Sequence, residues 1–209
     1  MSESDDAITV YSDYVCPFCY LGRQSLTQYQ VTREEPLAID WRPFDLRSNK
    51  RTADGEIDHD ADDGKDDSYF EQARENVERL REEYGADEMT VTLRRDVDSL
   101  DAQVASVYVR ETHPESWLAF DEAIFAALWE DGRDIGDPEV LADVAESVDL
   151  DPEEIVAALD DEAHRDRVFT AFEEAQRAGV TGVPTFVYDG HAARGAVPPE
   201  HLERLVEGT

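Results

Sequence analysis

The chain has 209 residues, of which 51 are acidic and 19 basic, so its formal net charge is −32. Such a charge repels nucleic acid and anionic membranes, and neither is expected as a partner. The length suits one domain, or one domain carrying an insertion. Because the acidic residues are spread along the whole sequence, we interpret the surface as that of an extreme halophile's protein, in which high salt screens the self-repulsion.

The sequence favours a cytoplasmic location. Residues 1–6 are acidic and lack the apolar region of a signal peptide. No apolar run approaches the length that crosses a bilayer. The chain has only two cysteines, and a lone pair in a reducing compartment is more often catalytic or redox-sensing than structural.

The two cysteines form the motif Cys16-Pro17-Phe18-Cys19, between a predicted strand and a predicted helix. A Cys-x-x-Cys at such a junction is typical of redox motifs. The first sulfur would lie at the helix N-terminus, where free backbone N–H groups favour the nucleophilic thiolate. Pro17 suits the first helical position, and Cys19, one turn later, could attack a mixed disulfide formed at Cys16.

Two other interpretations of the pair stay open. A zinc site needs four ligands, and the five histidines show no His-x3-5-His spacing that would complete one. A purely structural disulfide between Cys16 and Cys19 would close a loop of only two intervening residues. It would therefore lower the entropy of the unfolded chain very little. Redox chemistry is favoured. We therefore expect no metal and no bound cofactor, and the reactive group would be a Cys16–Cys19 disulfide.

The first half of the predicted fold is a strand, a helix and a strand. These are expected over 8–12, 20–30 and 37–42, the last with alternating apolar and polar residues. The connection is long enough for a parallel, right-handed crossover.

Residues 51–65 are predicted to be a solvated acidic loop, because they are polar and rich in aspartate. Counted from Asp58, positions 1, 3 and 5 are aspartates (Asp58, Asp60 and Asp62), as in a calcium-binding EF-hand loop. However, Asp63 replaces the required glycine and Tyr69 replaces the required glutamate, so calcium binding is disfavoured.

Residues 66–178 are predicted to be an inserted helical domain, because apolar residues recur there at helical spacings. Asp151-Pro152 is typical of a helix start, and Glu154 completes a capping-box-like spacing after Asp151.

The last segment returns to strand patterning. Its predicted elements are a strand over 180–188, a hairpin turn at Asp189-Gly190, a strand over 191–195 and a helix over 198–206. Residues 7–50 and 179–207 would then form one discontinuous domain. The predicted fold class is α/β: a thioredoxin-like fold with a helical domain inserted between its βαβ and ββα halves.

Three stretches resemble the DsbA-family oxidoreductases of the FrnE type, and the resemblance covers nearly the whole chain. They are residues 11–22 around the cysteines, Trp41-Arg42-Pro43-Phe44, and residues 179–186, which contain Gly-Val-Pro-Thr-Phe. The same superfamily includes 2-hydroxychromene-2-carboxylate isomerase and kappa-class glutathione transferase, which have serine at the first motif position and bind glutathione. Cys16 favours disulfide exchange instead.

The chain also departs from this family. It has Asp98-Ser99 and Ala102-Gln103 where the family often has Asn-Thr and Ala-His. This departure disfavours a small-molecule pocket.

The resemblance implies a role for each motif residue. Cys16 would be the exposed nucleophile and Cys19 the buried resolving thiol. Pro184 would be a cis-proline facing the pair, and the Val183 backbone could pair with an extended substrate segment. The substrates would be thiols or disulfides, expected to be proteins, together with a cellular thiol reductant or oxidant.

The remaining candidate residues have alternative roles. Asp13 either moves the proton of Cys19 or only caps a turn. Phe18 stands where DsbA has a histidine that stabilises the thiolate, so a less oxidising pair is expected. Trp41 and Phe44, with Phe18, would form the hydrophobic surface of a non-catalytic chaperone or binding module, which is one rival function. A glutathione-type isomerase or transferase is another.

Overall fold

The computed structural model describes residues 7–52, 55–58, 60–61 and 64–208. Within them the chain forms four strands, eight α-helices and a short 3-10 helix at Ser48–Lys50. In chain order the strands and α-helices are β1 (Ala7–Ser12), α1 (Pro17–Thr32), β2 (Ala38–Pro43), α2 (Asp67–Glu83), α3 (Leu100–Thr112), α4 (Trp117–Trp129), α5 (Pro138–Ser147), α6 (Pro152–Leu159), α7 (Glu162–Arg177), β3 (Thr185–Tyr188), β4 (His191–Arg194) and α8 (Pro199–Glu207).

The four strands form one sheet in the order β2-β1-β3-β4. β1 and β2 are parallel, as the long crossover through α1 requires. β3 is antiparallel to both β1 and β4. The predicted thioredoxin-like fold, with helices inserted between βαβ and ββα halves, is confirmed. The exact boundaries of the two proposed domains stay predictions.

Two main groups of buried apolar side chains hold this fold together. One group, the sheet core, lies between the sheet and the two helices that pack on it, and comprises Ile8, Val10, Leu26, Tyr29, Leu37, Phe186 and Leu202. The larger group, the helical core, draws residues from each of the helices α2 to α7. It also contains Tyr14, Val15, Cys16, Cys19, Tyr20 and Leu21, so the cysteine motif packs with the inserted helices.

Two local predictions are wrong in detail. β3 begins only at Thr185, because Pro184 has no N–H to give to a ladder. The capping box at α6 does not form: Asp151 accepts a bond from the Glu153 amide. Glu154 instead accepts hydrogen bonds from helix α3 and the residue after it.

The acidic segment is anchored at its start. The Arg51 guanidinium donates to both carboxylate oxygens of Asp45 and of Asp98, and Arg51 forms an isolated β-bridge with Ile57. The prediction of a solvated loop over 51–65 falls partly on residues 53, 54, 59, 62 and 63, which lie outside the described residues.

Candidate active site

The cysteine pair lies where the sequence predicts. β1 ends at Ser12, a turn follows, and Cys16 is the N-cap residue of α1 with Pro17 in the first turn. The turn is closed by a hydrogen bond of 3.1 Å from the Cys16 amide to the Asp13 carbonyl, and the Cys19 amide donates to the Cys16 carbonyl at 3.0 Å. One helical turn therefore carries both sulfurs at the N-terminus of α1.

Both sulfurs are buried, which corrects the expectation of an exposed Cys16. Cys16 is 3% exposed and Cys19 2%. The Cys16 thiol lies 3.5 Å from the Val183 carbonyl, to which it donates. This contact comes from a residue 167 positions away, so the motif alone could not show it. Burial, and then the hydrogen bond with the Cys16 thiol, raise the pKa of Cys19 well above its usual value, which keeps that thiol protonated.

A cis-proline faces the pair, as predicted. The Val183–Pro184 bond is cis. The Pro184 carbonyl accepts from the Gly195 amide at 2.8 Å, which ties the loop to the end of β4. Helix α1 approaches this loop at Gly22, where a Cβ atom would lie 2.9 Å from Pro184 Cγ. Only glycine permits this approach without a shift of the proline.

Asp13 is a buried carboxyl, 1% exposed, at the turn before the motif. Its Oδ1 accepts from the Val15 amide and from the Ser99 hydroxyl, at 3.2 and 2.6 Å, and its Oδ2 accepts from the Leu46 amide at 2.8 Å. Burial raises its pKa to about 6, although the hydrogen bond from Ser99 acts in the opposite direction. The turn-capping role is thus present, and proton transfer to Cys19 stays a prediction.

The aromatic candidates do not form one exposed surface. Phe44 is buried with Ala175 and Val180, and Val183 packs against that group. Phe44 therefore supports the loop that carries Pro184. Trp41 is half-buried beneath the Arg23 guanidinium, which lies 4.6 Å from its ring centroid, and Phe18 is half-buried against the helical core.

A buried polar cluster beside the motif was missed by the sequence analysis. The Asp121 carboxylate on α4 accepts from the Tyr14 hydroxyl and from the Arg23 guanidinium. The side chains of Arg23 and Asp121 are 7% and 8% exposed. Burial, and then the negative charge of Asp121, raise the pKa of Tyr14 well above its usual value. The available signal was the acidic pair Asp121-Glu122 inside the mostly apolar helix α4, of which Asp121 is the buried member.

The positions that depart from the family have structural roles here. Ser99 donates to Asp13, and Gln103 donates to the Phe44 carbonyl at 2.9 Å. Gln103 also lines a cleft with Tyr14 and Trp41 whose volume is only about 30 Å³, room for a water molecule or two.

Neither a metal-binding cluster nor a membrane-spanning helix is present in the described ranges. No group of three or more histidine, cysteine, aspartate or glutamate side chains in those ranges could hold a metal ion. Asp62 and Asp63 of the EF-hand comparison lie outside those ranges. No helix found there is long and apolar enough to cross a bilayer.

The fold and the cysteine pair agree with the family to which the chain belongs. Residues 7–207 match the model of the DSBA-like thioredoxin domain, so this is a member of that family. The resemblance to DsbA-family proteins is thereby confirmed. Among curated proteins, YwbO of Bacillus subtilis (strain 168) is 26% identical over 200 residues, which cover 95% of this chain and 94% of YwbO.

Solved structures share the fold at lower identity. A probable DsbA oxidoreductase from Streptomyces coelicolor is 24% identical with a TM-score of 0.79, covering 97% of this chain and 88% of its own. A 2-hydroxychromene-2-carboxylate isomerase is 20% identical with a TM-score of 0.75, covering 97% and 93%. The cytosolic disulfide reductase DsbM from Pseudomonas aeruginosa is 17% identical with a TM-score of 0.59, covering 96% and 92%.

Proposed function

We propose that this protein is a thiol-disulfide oxidoreductase that exchanges disulfides through Cys16 and Cys19. One observation carries the proposal: the two sulfurs lie at the N-terminus of α1, with the Cys16 thiol against the carbonyl that precedes the cis-proline. The N-terminus of a helix, with its unpaired backbone N–H groups and its dipole, favours negative charge in general.

Reduction of a substrate disulfide proceeds in two steps. The Cys16 thiolate attacks one sulfur of a substrate disulfide, so a mixed disulfide forms and one substrate thiolate leaves. Cys19 then loses its proton and attacks Cys16, which releases the second substrate thiolate. The substrate gains two electrons, and the resulting Cys16–Cys19 disulfide is reduced by an external thiol. Oxidation of a substrate is the reverse sequence.

The high pKa of Cys19 orders these steps. Because Cys19 stays protonated, it does not compete for the substrate, and Cys16 reacts first. The mixed disulfide must then persist until the Cys19 proton is removed. The Asp13 backbone lies close enough to Cys19 to lower its pKa slightly, and we assign proton acceptance to the Asp13 carboxylate, whose pKa is near 6.

The cytoplasm is the proposed location and a cellular thiol the proposed reductant. The whole chain has no cysteine besides the pair, as is common in proteins kept in a reducing compartment. One protein of the same fold is described as a cytosolic disulfide reductase.

The proposal is tested by the turbidity that follows insulin reduction in dithiothreitol, at a fixed high salt concentration. We expect wild type to shorten the lag, and Cys16→Ser to have the lag of dithiothreitol alone. Cys19→Ser should form a stable mixed disulfide with insulin, visible on a non-reducing gel. Full activity of Cys16→Ser would exclude Cys16 as the nucleophile.

Two further assays separate the rival functions. Suppression of the aggregation of a cysteine-free client by wild type and by Cys16→Ser alike, without any effect on insulin, would indicate a chaperone. Glutathione-dependent turnover of an aromatic substrate, without insulin reduction, would indicate an isomerase or transferase.

A further inference from the structure

A groove of about 630 Å³ lies between the edge strand β4 and helix α8, away from the cysteine pair. Four of its lining residues are basic or histidine: His191 and Arg194 on β4, and His201 and Arg204 on α8. No aspartate or glutamate lines it. In a chain with 51 acidic and 19 basic residues, this concentration of basic side chains is exceptional.

The two arginines of the groove are not neutralised. In the described part of the chain, the guanidinium groups of Arg194 and Arg204 form no ion pair or hydrogen bond, whereas most other arginines are paired with carboxylates. Three glutamates of α8 do not line the groove, and one of them, Glu207, pairs with Arg33 on α1. The groove therefore offers charge to an anionic ligand.

The shape of the groove favours an extended ligand. β4 has four residues and α8 has nine, so each is about 13 Å long. The basic side chains are spread along this length instead of converging on one point. β4 bonds only to β3 among the described strands, which leaves N–H and C=O groups along its other edge for an added strand.

We propose that the groove binds an extended acidic segment of another polypeptide. The segment would add to the free edge of β4 by backbone hydrogen bonds. Its carboxylates would pair with Arg194 and Arg204, and its small apolar side chains would lie against Ala193 and Leu205. Binding of this kind weakens as the ionic strength rises.

The groove ends beside the cis-proline loop. Arg194 is the register partner of Thr185, and the next amide, that of Gly195, donates to the Pro184 carbonyl. A segment bound along β4 would thus have one end near the loop that faces Cys16. The inference concerns binding only and does not depend on the thiol chemistry.

The test uses a fluorescein-labelled decapeptide of alternating glutamate and valine, with binding followed by fluorescence anisotropy. Wild type and the double variant Cys16→Ser/Cys19→Ser should bind it equally, so that failure of the redox proposal leaves this result unchanged. Arg194→Glu and Arg204→Glu should each weaken binding at least tenfold. Arg74→Glu is the matched control, because Arg74 is exposed on α2, outside the groove, and undergoes the same change of charge.

Four results of the binding assay would overturn the proposal. These are no binding to wild type, equal loss in Arg74→Glu, equal binding of a lysine-valine decapeptide, and displacement of the peptide by inorganic phosphate beyond the effect of sodium chloride at the same ionic strength. The last would indicate a site for small anions. A dimer in sedimentation velocity that Arg194→Glu abolishes would assign the groove to a second copy of the chain instead.

Discussion

The sheet core and the helical core differ in their contacts with the cysteine motif. The sheet core is built from β1, α1, the segment before β2, β3 and α8, and contains no motif residue. The helical core takes in Cys16, Cys19 and their neighbours, although these belong to the first strand-helix unit. The sheet therefore sets the position of the motif, while the inserted helices bury it.

The strongest link between the motif and the helices is the pair of Arg23 and Asp121. Asp121→Ala should lower the free energy of unfolding by about 3 kcal/mol, because it leaves a buried guanidinium without its main partner. Glu122, whose side chain is 58% exposed and lies 3.4 Å from Arg23, compensates only in part. The measurement is urea unfolding at constant salt concentration.

The matched control is Asp40→Ala at the exposed Arg42–Asp40 pair, which lies on the sheet. Such pairs contribute about 0–1 kcal/mol. Equal losses in the two variants would show that the buried pair contributes no more to stability than an exposed one.

The Asp13 carboxylate links the turn before the cysteine motif to Ser99, at the start of helix α3. Its titration tests how much this link contributes to stability. Its pKa is raised from 3.8 to about 6. Because the folded state binds this proton more tightly, the stability that Asp13 contributes is fully present below pH 3.8 and is lost as pH rises through 6. The loss amounts to about 3 kcal/mol. Unfolding free energies of wild type and Asp13→Asn, measured from pH 3 to 8, should diverge by that amount.

Ser99→Ala sharpens this test. It removes the hydrogen bond that lowers the pKa of Asp13, so the same divergence should move to higher pH. A difference between wild type and Asp13→Asn that stays constant with pH would contradict the assignment.

A substitution at Gly22 tests how the packing of helix α1 against the cis-proline loop positions that loop. Gly22→Ala places a Cβ atom 2.9 Å from Pro184 and 3.2 Å from Phe186, so the cis-proline loop must shift, at a cost of about 1–3 kcal/mol. The rate of insulin reduction should fall as well. Gly182→Ala is the control in the same loop, because nothing lies within 4 Å of its added Cβ. Equal rates in both variants would refute a positioning role for Gly22.

The smallest expected effect concerns Phe18 alone. Without a histidine at this position, the reduction potential of wild type should lie below the DsbA value of about −120 mV. Phe18→His should raise it by about 30 mV, since about 1.4 kcal/mol of thiolate stabilisation corresponds to that shift. Glutathione titration at a fixed high salt concentration measures both values. A wild-type potential at or above that of DsbA would remove Phe18 as the tuning residue.

The sequence predicted the features that depend on neighbouring residues. The motif at the start of α1, the βαβ and ββα order and the cis-proline all follow from local patterns or from the family. The burial of Cys16 did not follow, because the inserted helices that pack around the motif lie far along the chain. Glu154 was assigned to a local cap, but Tyr108 and His113 from another helical region compete for its carboxylate.

The pairings between buried polar side chains could not be predicted from the sequence either. The pairing of Arg23 with Asp121 spans 98 residues, and that of Asp13 with Ser99 spans 86. Hydrophobic periodicity places each residue on a helix or turn but does not indicate which buried charge meets which. The sequence could thus predict the cysteine pair and the cis-proline that faces it, but not which buried polar groups pair around them.

The burial of Cys16 also affects the resistance of its thiol to irreversible oxidation. Thiolates that are open to solvent react with peroxide to sulfenic acid and then, irreversibly, to sulfinic and sulfonic acids. A sulfur that is 3% exposed meets such oxidants only when the structure opens locally. Cys19 lies beside it and can convert a sulfenic acid into a disulfide, which a thiol can reduce. Under the proposed function, the packing that limits access for substrates would also protect the pair from irreversible oxidation.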